Sequence, residues 1–146
     1  MDMKRLVIGT IVGGIILYVM GYVIFELAAG DFYAANRGPA SDAFRDAPTQ
    51  WPLVVSALGY AALITLGVLS AERGLAVARG AIIGAIIGFL AWLQADLVFY
   101  SYTTIRPLVV SIVDPLLEII HAGIAGAVIA AVLARVPKGA AIRPAE

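Results

Sequence analysis

The sequence predicts an all-α, polytopic membrane protein that forms a bundle of four transmembrane helices. The composition predicts this class, because 62% of the residues are hydrophobic, only 14% are charged and the mean hydropathy is +0.96. A soluble domain normally carries roughly a quarter charged residues, so this chain lacks the polar side chains to cover a water-soluble globule. Four apolar stretches, each long enough to cross a bilayer, predict one membrane domain over residues 1–146.

The residue totals exclude several classes of function. Ten basic side chains balance ten acidic ones, which gives no electrostatic basis for nucleic-acid binding. The sequence has no cysteine, which excludes disulfides, thiol redox chemistry, Cys-based zinc sites and ordinary iron–sulfur ligation. A single histidine, His121, excludes bis-histidine haem ligation within one chain.

The first predicted helix covers about residues 5–28. Residues 6–25 carry no charge and span about 30 Å as a helix, the thickness of the hydrocarbon layer. Because the apolar region of a signal peptide is only about 7–15 residues long, we expect a retained transmembrane helix. The following loop, residues 29–50, contains the helix breakers Gly38-Pro39 and Pro48. Its aromatic residues Phe32, Tyr33 and Phe44 favour either an ordinary loop at the lipid interface or a lid over the bundle.

Three more helices are predicted over about residues 51–70, 79–102 and 107–135. The second begins with Trp51, an interfacial anchor, and Pro52, which the first turn tolerates. A short turn separates it from the third helix, and the proline-broken tail after the fourth is too short to fold alone.

The charges beside the helix ends predict the orientation. Seven basic residues lie on the side of the chain termini and three on the other side: Lys4, Arg5, Arg73, Arg79, Arg135, Lys138 and Arg143 against Arg37, Arg45 and Arg106. Cytoplasmic segments are richer in Lys and Arg. We therefore expect both termini in the cytoplasm and the 29–50 loop outside, in a bacterial inner membrane.

Small residues at four-residue spacing predict close helix packing. The third helix carries Gly80, Gly84 and Gly88, and the fourth carries Gly126 between Ala122 and Ala130. Helices in lipid associate through such residues because their backbones approach closely. The glycine stripe indicates either a tight bundle or a contact with a second copy, so a homo-oligomer or a larger membrane complex is expected beside the lipid bilayer as partner.

Four ionisable residues interrupt the last two apolar helices and are the main candidates for a site. They are Asp96 in the third helix and Asp114, Glu118 and His121 in the fourth. Charged groups inside a membrane are costly and normally face protein or water. Asp114, Glu118 and His121 fall within roughly a 60° arc of one helix face, and Pro115 frees the Ser111 carbonyl beside them.

Further polar and aromatic residues predict a pocket around these four. Glu26 and Tyr22 lie on one line of the first helix, Tyr60 on the second helix and Trp92 on the line of Asp96. We expect these side chains to converge in the outer half of the bundle as an acidic, aromatic-lined pocket. The carboxylates of Asp96 and Asp114 should then lie close to each other or to Glu118.

Several carboxylates cannot all remain ionised at low dielectric without compensation. A divalent cation on Glu118, His121 and Asp114, an organic cation, Arg106 or shared protons would each compensate them. The alternative is a purely structural hydrogen-bond network. Three functions follow: a binding or accessory protein with an acidic periplasm-facing pocket, a proton- or cation-coupled transporter, or a membrane enzyme that uses Glu118 and His121. The catalytic residues of such an enzyme are unknown.

Several short motifs resemble an uncharacterised family of bacterial four-helix inner-membrane proteins. The similar residues are Phe32-Tyr33, Gly38, Gly80, Gly84, Asp96-Leu97, Thr104, Pro107 and Val113-Asp114. The resemblance covers about half of the chain. It implies a bacterial inner membrane and shared polar positions at Asp96 and Asp114, and it implies no activity. Glu118 and His121 do not belong to the family pattern.

Overall fold

The computed structural model describes residues 2–39, 45, 47–71 and 76–137. Within these ranges the chain is helical and contains no strand. Four helices are long and apolar enough to cross a membrane, so the predicted all-α four-helix membrane fold is confirmed. Arg73, Lys138, Arg143 and Phe44, which the sequence analysis named, lie outside the described residues.

The first spanning segment consists of α1, Met3–Gly21, continued by a π-helical stretch, Tyr22–Ala28. Asp2 caps its start, where the side chain accepts a hydrogen bond from the Arg5 amide at 3.2 Å. A short helix follows, α2, Gly30–Ala35. This helix lies within residues 29–50, for which the sequence predicts a loop.

The other spanning helices are α3, Gln50–Leu69, α4, Val77–Tyr102, and α5, Leu108–Leu133. α5 is the most buried of them and contacts α1, α3 and α4. The most extensive interfaces join α4 to α5 and α1 to α3, whereas α3 and α4 make few contacts with each other. The bundle therefore consists of two tight helix pairs joined mainly through α5.

Glycines bring α4 and α5 into backbone contact. A Cβ atom at Gly80 would collide with the Gly126 carbonyl, and one at Gly84 with the Ala122 carbonyl. A Cβ at Gly88 would lie 2.6 Å from the Ala122 side chain. The glycine stripe of α4 thus faces α5 of the same chain, which resolves the choice between internal packing and a contact with a second copy.

The apolar core occupies the end of the bundle that holds both chain termini. Its buried side chains come from α1, α3 and α5: Leu17, Ala61, Ile64, Val68, Ala122, Ala125, Ile129, Ala130 and Leu133. At this end the buried Arg5 guanidinium donates to the Leu133 carbonyl at 3.0 Å, where the last carbonyls of α5 need donors. The buried ionisable groups of α4 and the start of α5 lie toward the opposite end.

Large apolar side chains cover the outer faces of the spanning helices. Residues such as Ile15, Ile82, Ile86 and Leu90 are more than half exposed. An apolar surface of this extent is unfavourable in water and is the expected surface of a protein in lipid. The chain is therefore a multi-pass membrane protein.

Candidate binding site

Arg106 connects the two aspartates of the predicted pocket. Its Nη1 atom lies 3.1 Å from Asp96 Oδ1 and 2.7 Å from Asp114 Oδ2. Asp96 and Asp114 are 3% and 4% exposed, whereas the Arg106 side chain is 32% exposed. The connection between α4 and α5 thus places one guanidinium between two buried carboxylates, as close together as the sequence predicted.

Tyr33 on α2 contacts the carboxylate oxygen of Asp114 that Arg106 does not. Its hydroxyl donates a hydrogen bond to Asp114 Oδ1. Burial, this bond and the neighbouring negative charge raise the pKa of Tyr33 well above its ordinary value. Tyr33 therefore remains a hydrogen-bond donor to Asp114 through the physiological range, and it holds α2 over the site.

The segment after α2 also packs on the connection that carries Arg106. Gly38 has a positive φ of 75°, and a Cβ there would collide with the Ile105 carbonyl. Only glycine combines this backbone conformation with so close an approach. Residues 30–38 therefore contact this end of the bundle through Tyr33 and Gly38.

Glu118 and His121 form a second polar group, about one turn further along α5. His121 Nδ1 lies 3.1 Å from both carboxylate oxygens of Glu118, and the Tyr60 hydroxyl donates to Glu118 Oε2 at 2.9 Å. The other ring nitrogen, Nε2, lies 2.9 Å from the Leu17 carbonyl. The ring of Phe25 packs edge-on against His121, with centroids 5.5 Å apart.

These contacts restrict where protons reside. A carbonyl oxygen only accepts hydrogen bonds, so Nε2 of His121 carries a proton toward Leu17. The bond between Nδ1 and Glu118 then contains one further proton, held either as imidazolium with carboxylate or as imidazole with carboxylic acid. Both arrangements are neutral overall, which makes the pair tolerable in its buried position.

Two buried polar atoms of the site have no hydrogen-bond partner among the described residues. They are Asp96 Oδ2 and Ser111 Oγ. Buried polar atoms normally have a partner, and a carboxylate oxygen that lacks one is costly. Asp96 is therefore the incompletely satisfied member of the group around Arg106.

A cavity of about 260 Å³ adjoins Asp96 and Arg106, and its other walls are formed by Trp92, Ala95, Phe99 and Ile105. A second cavity of about 220 Å³ lies between α3 and α4, lined by Ser56, Tyr60, Ala91, Trp92 and Ala95. Because Trp92 and Ala95 line both, the two cavities adjoin along α4. Apolar walls with a few polar groups are typical of ligand pockets.

The structure brings together most of the side chains that the sequence singled out. Asp96, Asp114, Glu118, His121 and Tyr60 join the two polar groups, and Trp92 lines the cavities beside them.

Glu26 and Tyr22 lie outside the site, because both side chains are exposed. α1 packs through Gly9, Gly13 and Leu17, and one residue along a helix rotates the direction by about 100°. The line of Tyr22 and Glu26 therefore faces outward.

The described part of the chain does not gather the predicted metal ligands Glu118, His121 and Asp114 into one cluster. No set of three His, Asp or Glu side chains there is arranged to hold a metal ion. Asp114 binds Arg106 and Tyr33, whereas Glu118 binds His121 and Tyr60. Each carboxylate proposed as a ligand is thus engaged by a protein donor.

Two contacts of the His121 ring could not be predicted from the sequence, and neither could the cavity walls formed by Ala91, Ala95, Phe99 and Ile105. The Leu17 carbonyl carries no sequence signal, because any residue supplies one. Phe25 is one of many apolar residues in its helix, and only the packing of His121 distinguishes it.

Comparisons with known proteins give no relative: no family model, curated protein or solved structure matches this chain. The resemblance to the bacterial four-helix family therefore stays a prediction.

Proposed function

We propose that this chain is a small integral membrane binding protein with an acidic pocket for a cationic ligand. The observation that carries the proposal is that two buried carboxylates share one nitrogen of Arg106. In their ionised forms, Asp96, Asp114 and Arg106 sum to one uncompensated negative charge. Isolated charge in a low-dielectric interior is strongly unfavourable, and the positive group of a ligand would offset it.

The walls of the cavity favour an organic cation. Trp92 and Phe99 line it beside Asp96, and aromatic faces attract ammonium groups. The unsatisfied Oδ2 of Asp96 supports this residue as the counter-ion. A small alkylammonium ion carries a positive charge that complements Asp96 and an apolar group that fits the cavity walls. A hydrated metal ion would meet few oxygen ligands in this cavity.

Fluorescence titration of the detergent-solubilised protein with ethylammonium chloride tests this function. Trp92 lines the cavity, and the exposed Trp51 is the other tryptophan, so a Trp51→Phe background isolates the signal. We expect a saturable change that Asp96→Asn abolishes and that Asp31→Asn, at an exposed carboxylate of α2, preserves. A fluorescence change that does not saturate, or that is equally large in Asp96→Asn, contradicts the proposal.

We also propose that the pocket faces the periplasm and that both termini are cytoplasmic. The support is the position of Lys4, Arg5, Arg79 and Arg135 at the bundle end remote from Asp96. Since the chain has no cysteine, single-cysteine variants report accessibility without background. An impermeant maleimide added to intact cells should label Ala47→Cys, at an exposed position before α3, and spare Arg135→Cys. The reverse pattern contradicts this orientation.

Coupled transport of a proton or cation is the second candidate. It is favoured by the continuation of ionisable groups along α5 from Asp114 to Glu118 and His121, since transport requires such groups through the membrane. In proteoliposomes, an imposed ethylammonium gradient should then drive a pH change that Glu118→Gln abolishes. Binding without any such flux restricts the protein to the first function.

A further inference from the structure

The two cavities beside α4 form one groove with a charged end and an apolar body. We define the α4 groove by its lining residues: Ser56, Tyr60, Ala91, Trp92, Ala95, Asp96, Phe99, Ile105 and Arg106. Arg106 lies between the ends of α4 and α5, and Ala91 lies eleven residues before the end of α4. At 1.5 Å per residue the groove extends about 15 Å into the membrane.

The helix arrangement explains why this groove exists. The glycine contacts hold α4 against α5, and α3 packs on α1, so α3 and α4 make few contacts with each other. Small side chains at Ala91 and Ala95 leave additional space between these helices. The groove is therefore bounded by two tightly packed pairs, and it lies on the side of the bundle where lipid is adjacent.

The charged end of the groove presents groups of both signs. The Asp96 side chain lines this end, and its buried Oδ2 has no hydrogen-bond partner among the described residues. Arg106 is partly exposed and uses Nη1 for both ion pairs, and its guanidinium also lines the groove. A ligand that complements this end carries an ammonium group for Asp96 and an anionic group for the guanidinium, which binds phosphate well.

We propose that the α4 groove binds a zwitterionic aminophospholipid. The ammonium group pairs with Asp96, the phosphate accepts hydrogen bonds from Arg106, and one acyl chain lies along Trp92 and Ala91 toward Tyr60. The depth of each part matches the bilayer, because head groups lie at the helix ends and acyl chains lie inward. This inference rests on the proposed function, since it assigns the ammonium group that the same pocket binds to the head group of a lipid.

Native mass spectrometry of the full chain tests the head-group preference. The detergent-solubilised protein is mixed with equal amounts of phosphatidylethanolamine, phosphatidylcholine and phosphatidylglycerol that carry identical acyl chains. We expect phosphatidylethanolamine to be retained about tenfold over the other two, a difference of about 1.4 kcal/mol. Asp96→Asn should remove this preference, and Asp31→Asn should keep it. Equal retention of the three lipids by the unmodified chain overturns the inference.

The position of the acyl chain is tested separately. Ala91→Leu fills the groove and should abolish retention of phosphatidylethanolamine, whereas Ala78→Leu, at an exposed position of the same helix, should leave retention unchanged. In the Trp51→Phe background, phosphatidylethanolamine with brominated chains should quench Trp92 fluorescence, and Ala91→Leu should relieve the quenching. Unchanged retention and unchanged quenching in Ala91→Leu overturn the assignment of the chain to this groove.

The two proposals fail in distinguishable ways. Saturable ethylammonium binding together with equal retention of all three lipids contradicts the lipid inference alone. Absence of ethylammonium binding contradicts the pocket for a cation, and the lipid inference then fails with it.

Discussion

Arg106 donates to Asp114 over 2.7 Å, although the two residues are separated by Pro107 and by nearly two turns of α5. The same nitrogen reaches Asp96 on α4. The connection between the two helices is therefore folded back onto the bundle by its own guanidinium. This contact fixes the end of the α4–α5 pair, whose remaining length is held by glycine-mediated packing.

Removal of Arg106 should destabilise the protein strongly. Arg106→Gln leaves two buried carboxylates without a cation, and a buried charge that loses its partner costs about 3 kcal/mol or more. Thermal unfolding in detergent should show the loss, and the double variant Asp96→Asn with Arg106→Gln should recover part of it. Arg45→Gln, at an exposed arginine, is the matched control. If Arg106→Gln and Arg45→Gln lower the thermal stability by the same small amount, the contact of Arg106 with the two aspartates has no energetic role.

Tyr33 should resist ionisation at a pH where exposed tyrosines are ionised. Because its pKa is raised in the folded state, its contribution to stability is present below the ordinary tyrosine pKa of about 10 and declines as the pH rises above it. An ultraviolet titration of the folded protein follows tyrosine ionisation, and its early phase is the part near the ordinary tyrosine pKa. Tyr33→Phe should leave the early phase unchanged. A smaller early phase in Tyr33→Phe would contradict burial of this hydroxyl against Asp114.

The α4–α5 interface should tolerate no side chain at Gly84. A Cβ there meets the Ala122 backbone carbonyl, which cannot move without shifting α5, so Gly84→Ala should cost about 1–3 kcal/mol. Gly59→Ala is the control, because its Cβ would meet no atom within 4 Å and alanine favours a helix. Unfolding by heat or by sodium dodecyl sulfate should separate the two variants. Equal stabilities would show that the close approach is not needed.

The bundle and most of the candidate site were predictable from the sequence because lipid imposes simple rules. Spanning helices must be apolar and about 20 residues long, and a charged residue within them must face protein. The structure agrees with this rule, because it buries the four ionisable side chains that interrupt the apolar stretches of α4 and α5: Asp96, Asp114, Glu118 and His121. The glycine spacing likewise predicted close packing, although only the structure identifies α5 as the partner of α4.

The face that α1 presents was not predictable in the same way. Every face of this helix is apolar apart from scattered small and aromatic residues, so periodicity does not distinguish the line of Tyr22 and Glu26 from the line of Gly13 and Leu17. Which of these lines faces the bundle depends on which side chains of α3 and α5 fit against the glycines of α1. This fit is a property of the tertiary packing. The π-helical stretch from Tyr22 changes the register further. Tyr33 was named only as part of a lid, because its bond to Asp114 joins residues that are 81 positions apart.

Glu118 and His121 should be energetically coupled, because they share one proton in a buried position. His121→Ala leaves Glu118 with only the Tyr60 hydroxyl as a donor among the described residues, so the carboxylate loses the group that balances its charge. In the Glu118→Gln background that charge is absent, and His121→Ala should cost less. A double-mutant cycle on thermal stability should give a coupling of about 1–3 kcal/mol, whereas the same histidine variant combined with Asp31→Asn should be additive. Additivity between Glu118→Gln and His121→Ala would mean that the two side chains are neighbours without a shared proton.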